Sequence, residues 1–150
     1  MLTFAQSTKS IEIIAPYNRK ITLTSADLLK YPQHYMDSIR ITNYLKEYKS
    51  TLRNISGVLL RDVLSKISFK EKSPKVLSEY YITCIAEDGY KAVFSWNEIF
   101  NTAVGDRAMI IPDMESSPKE GISILSPTDF ATGRRYVKML KTIQLKKVNE

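Results

Sequence analysis

The chain has 150 residues, 43% hydrophobic and 25% charged, the proportions of a globular domain that buries its own core without staples. No apolar run approaches the roughly 20 residues needed to span a bilayer, and the single cysteine, Cys84, excludes an internal disulfide and every zinc or iron-sulfur site built on paired thiolates. The formal net charge of +6 permits an anionic partner without specifying one.

Residues 1–9 are read as a frayed terminus or the remnant of a secretory signal, because Leu2, Phe4, Ala5 and Gln6 run from apolar to small. The second reading favours an extracytoplasmic location. Residues 10–150 are read as one domain. Within it, Ser10 to Ile14 and Arg19 to Leu23 alternate in polarity around a turn at residues 15–18, which predicts a hairpin. Thr24 or Ser25 is placed to cap a short helix from Ala26 to Lys30, which Pro32 ends. Met36 to Tyr44 and Thr51 to Ile55 read as extended segments. From Gly57 to Ile67 the apolar series Leu60, Val63, Leu64, Ile67 recurs at helical spacing, so this whole stretch is expected to be a helix.

Tyr80 to Ala86 is rich in β-branched and aromatic residues, and Asp88-Gly89 supplies the turn that returns Tyr90 to Phe94 antiparallel to it. Ser95 and Glu98 have capping-box spacing for a helix through Phe100. Ala108 to Pro112 is a buried strand candidate, Glu115 to Gly121 a polar loop, Ile122 to Leu125 a short extended piece, and Tyr136 to Leu145 one or two closing strands. Strands broken by short helices, without regular alternation, point to a β-rich α+β class with mainly antiparallel or mixed sheets.

Three stretches together resemble the molybdopterin-binding domain of the sulfite oxidase family. They are Gly57-Val58-Leu59-Leu60-Arg61-Asp62-Val63-Leu64, then Glu87-Asp88-Gly89-Tyr90 between two strands, then Gly133-Arg134-Arg135-Tyr136-Val137-Lys138-Met139-Leu140 followed by Ile143 and Leu145. The resemblance covers roughly residues 10 to 147 and implies that family's fold. It also implies a molybdenum-binding cysteine between the first helix and the glycine-valine motif, a role suited to a soft anionic sulfur. Ile39 to Asn54 contains none. Cys84 lies one strand later, on a face shared with Ile82 and Ala86, and is read as a core thiol. Ser123 stands about where the family has an arginine. In the closing motif the resemblance assigns Arg135 and Lys138 to the phosphate of the cofactor, with the condition that they converge only if Gly133 to Arg135 is a loop.

Other chemistry is thin. His34 has no partner at metal or triad spacing and reads as a surface or turn histidine; Asp88 reads as a turn residue and Trp96 as a packing residue. The stretch from Gly133 to Glu150 carries six basic residues against one acid, read as a solvated strand face, an anion pocket, or, last, a nucleic-acid surface. The leading expectation is a non-catalytic relative of the molybdopterin oxidoreductases, with no metal and no catalytic residue, that binds a small anionic ligand or a protein partner. The rivals are a pterin- or molybdenum-dependent oxidoreductase with an atypical site and a basic-surface nucleic-acid binder.

Overall fold

A computed structural model describes residues 10–68, 71, 73–112 and 120–149. The signal-like stretch and most of the expected polar loop at Glu115 to Gly121 lie outside the described residues. The first hairpin is present, β1 (Ser10–Ala15) against β2 (Arg19–Thr24), joined by a 3-10 turn at Pro16–Asn18. Thr24 caps α1 (Ser25–Leu28), its hydroxyl accepting from the Asp27 amide while the Asp27 carboxylate accepts from the Thr24 amide. A long pair follows, β3 (His34–Thr42) antiparallel to β4 (Tyr48–Leu59). Then come α2 (Leu60–Leu64), β5 (Tyr80–Ala86), β6 (Lys91–Ser95), α3 (Trp96–Asn101), β7 (Met109–Ile111), β8 (Ser123–Leu125) and β9 (Leu140–Lys147).

The strands form two sheets, ordered β2-β1-β9-β5-β6 and β3-β4-β7-β8. Only β1 and β9 pair in parallel; the other described ladders are antiparallel. The protein is therefore a β-rich α+β fold with mixed sheets. Its larger core lies where Ile13, Ile82, Phe94 and Ile143 of the first sheet meet Val58, Ile110 and Ile124 of the second, closed by Leu64 and Ile99 from α2 and α3. Because side chains alternate across a strand, the opposite face of the second sheet carries Ile41, Ile55, Met109, Leu125 and the closing segment's Tyr136 as a second cluster. The second sheet is thus apolar on both faces at β7 and β8, whose residues are all buried.

The helix expected over Gly57 to Ile67 is shorter. Gly57 to Leu59 finish β4, where Val58 pairs with Ile110 and Leu59 with Met109, and only Leu60–Leu64 is helical. Burial on both faces makes the run apolar at every position, which blurs strand into helix. Gly57 suits the strand, because a Cβ there would lie 2.9 Å from the Met109 sulfur. The closing strand likewise starts late, at Leu140, and Val137 makes a single bridge to Ile124.

Candidate functional site

The site is built where the β3–β4 hairpin meets the closing segment. A 3-10 turn at Thr132–Arg135 lies against the end of β3. Thr132, buried, donates its hydroxyl to the Arg40 carbonyl at 2.7 Å and accepts from the Thr42 amide at 2.9 Å, while its own amide donates to the Thr42 hydroxyl at 3.2 Å. Glycine at 133 follows from this approach, since a Cβ would stand 2.5 Å from the Thr42 carbonyl oxygen. Gly133→Ala is expected to cost about 1 to 3 kcal/mol, the range for forcing atoms into a packed contact, and to weaken ligand binding beside the turn. Urea unfolding and a phosphate titration of that variant would check both effects.

The turn sends its two arginines in different directions. Arg135 goes inward: its Nε and Nη2 donate to both oxygens of Asp129 at 2.8 Å, and Nη1 donates to Glu98 at 2.5 Å and to the Val93 carbonyl at 3.1 Å. Its guanidinium lies 4.2 Å from the centre of the Phe94 ring. Hydrogen bonding to Asp129 raises its already high pKa, so it is charged at any working pH, and two carboxylates neutralise it. Glu98 was expected to complete a capping box with Ser95; Ser95 does accept from the Glu98 amide at 3.0 Å, but the Glu98 carboxylate serves Arg135.

Arg134 turns outward. With Gly133, Tyr136 and Lys138 from the closing segment, Tyr90 from the β5–β6 turn, and Ile41–Tyr44, Lys49 and Ser50 from the hairpin, it lines a cavity of about 410 Å³. Lys49 and Arg134 make no ion pair with a carboxylate among the described residues, while Lys138 lies 3.4 Å from Glu120. The Tyr90 hydroxyl donates to the Arg134 carbonyl and ties the wall together. Tyr136 is buried, and burial followed by the nearby Glu120 charge pushes its phenol to about 12, so it stays protonated. The cavity therefore offers cations, phenols and an amide, a set that suits a small, partly aromatic anion.

Gly133 to Arg135 is indeed a turn and not a strand, yet the two residues assigned to the cofactor are not brought together. Lys138 lines the cavity; Arg135 does not, and Arg134 stands there instead. Two adjacent arginines give no sequence signal to tell them apart. Lys49 lies within Ile39 to Asn54, where the resemblance implies a thiol and no motif singles out a cation.

No thiol lines the cavity. Cys84 is fully buried in β5, and burial pushes it up to about 12, far from the thiolate a metal requires. The residues present do not fit a molybdenum centre held through protein sulfur. Among the described residues no cluster of histidine, cysteine and carboxylates is set to hold a metal ion. His34 opens β3 with its ring 3.8 Å from Asp62, Asp88 accepts from the Tyr90 amide at 2.9 Å within its turn, and Trp96 stacks on Phe100 at 4.0 Å. Ser123 is buried in β8 and lines no part of the cavity. No described helix is long and apolar enough to cross a membrane.

No protein-family model matches the sequence, and no curated protein matches it. Among solved structures, the chain is similar to the sulfane dehydrogenase SoxCD from Paracoccus pantotrophus, with a TM-score of 0.65 and 13% identity over 99% of this chain. It spans 41% of the length of that protein. At this identity the likeness is one of fold, and the fold is of the sulfite oxidase type.

Proposed function

We propose that this chain is a non-catalytic relative of the molybdopterin oxidoreductases that holds a small anionic ligand, phosphate-bearing by preference, in the cavity between the β3–β4 hairpin and the closing turn. The observation that carries this reading is the pair Lys49 and Arg134. They face one cavity with Lys138 and three tyrosines, and neither has a carboxylate partner among the described residues. Uncompensated cations beside phenolic rings favour a ligand that brings negative charge and a planar body. Arg134 supplies a planar fork of donors, and Lys49 and Lys138 act as point charges.

Such binding needs no metal. Arg135 then has a supporting role: by fastening Asp129, Glu98 and the Val93 carbonyl to the turn, it sets the position from which Arg134 emerges. A titration at low salt with inorganic phosphate and with a phosphorylated pterin tests the reading. Lys49→Ala with Arg134→Ala should weaken binding about a hundredfold, since each charge-assisted contact is worth roughly 1.5 kcal/mol or more. Equal affinity in the double variant, or no binding by the wild type at millimolar ligand, would remove the proposal.

A further inference from the structure

Beside the cavity, three large apolar side chains stand in solvent: Tyr44 at 65%, Leu45 at 60% and Phe130 at 84% exposure. They come from two segments held together. The Thr42 hydroxyl donates to the Phe130 carbonyl at 3.2 Å, and Lys46 lies 5.4 Å over the Phe130 ring. The hairpin tip that carries Leu45 is built, not slack: the Asn43 side-chain oxygen accepts from the amides of Leu45 and Glu47 at 2.9 and 3.0 Å, and Lys46 takes the left-handed conformation that closes the turn.

Cations surround these groups. Arg134 lies 5.9 Å from the Tyr44 ring, Arg40 lies 5.2 Å from the ring of Tyr48, itself exposed, and Lys49 is exposed on the same hairpin. Against these and Lys46 the tip sets one carboxylate, Glu47, because Asp129 is already bound by Arg135. We infer that this end of the molecule is a docking surface for an anionic lipid bilayer, with Leu45 and Phe130 entering the interfacial layer and the collar of cations meeting the headgroups. A few projecting side chains are too small an area for a stable protein interface, which needs on the order of 1,000 Å². They are sufficient for shallow insertion, where aromatic rings favour the headgroup level and each nearby cation adds attraction to acidic lipid.

Tyr44, Lys49 and Arg134 are shared with the cavity wall, but Leu45, Lys46 and Phe130 lie outside it, so variants at these three test the surface apart from the cavity ligand. Co-sedimentation of the full chain with vesicles of phosphatidylcholine, alone or with about a third phosphatidylglycerol, tests it. The wild type should bind the acidic vesicles and not the neutral ones. Leu45→Ser with Phe130→Ser, and separately Lys46→Glu, should each lower binding about tenfold, with melting temperature and phosphate affinity kept. Lys20→Glu, the same charge change on exposed β2, should change binding only slightly. In Leu45→Trp, emission should shift to the blue on acidic vesicles and be quenched by brominated lipid, a readout that survives if the double variant fails to fold. The inference is overturned by any of four results: no binding, an equal loss in Lys20→Glu, no shift in Leu45→Trp, or full binding kept by a folded Leu45→Ser, Phe130→Ser variant, which would leave only a contact through the cations.

Discussion

Arg135→Ala should unfold the protein at markedly lower urea, with a loss of about 3 kcal/mol or more, the cost of stranding the partners of a largely desolvated charge. The side chains of Arg135 and Asp129 are only 20% and 15% exposed, so neither carboxylate oxygen of Asp129 regains full hydration when the guanidinium leaves. Glu98, at 37% exposure, suffers less. Lysine at 135 should recover only part of the loss, because one ammonium cannot span Asp129, Glu98 and the Val93 carbonyl as a planar fork does. A different outcome would follow if Arg135 were the direct ligand for an anion: phosphate affinity would fall while stability held. Measuring both quantities on the same variant separates a fastening role from a binding one.

Leu64→Ala should cost about 2 to 5 kcal/mol, the range for emptying a buried leucine site. Leu64 is fully buried on α2 and belongs to the larger core that joins the two sheets. Since α2 is only Leu60–Leu64, little backbone remains to relax into the space, which favours the upper part of that range. Denaturant unfolding followed by circular dichroism would check it. A change within about 0.5 kcal/mol would mean that this face of α2 is exposed and the packing between the sheets is different.

Local chemistry made much of the fold readable. Alternation marked β1 and β2, Asp88-Gly89 marked the β5–β6 turn, and the spacing of Ser95 and Glu98 marked the start of α3. Reading failed where long-range contacts override local pattern. Val58 and Leu59 look helical because both their faces are buried, and they are strand because β7 lies beside them. The candidate site was legible in its neighbourhood and in Lys138, and not in which arginine faces it. The closing motif and the hairpin do meet, and Lys138 does face their cavity. Which of Arg134 and Arg135 faces it is decided by Asp129 and Glu98, which reach Arg135 from 6 and 37 positions away. No pattern confined to residues 133–140 contains that information.

In the proposed function, this sulfite-oxidase-type fold binds its ligand without a metal held by protein sulfur. Metal analysis of the protein purified from its own source, joined to assay of released pterin fluorescence, tests it most directly, because a foreign host can fail to supply a cofactor. Molybdenum should lie far below one atom per chain, whether or not an anionic ligand is recovered. About one molybdenum per chain would contradict that expectation, and its loss when Cys84 is replaced by serine would place the metal on protein sulfur.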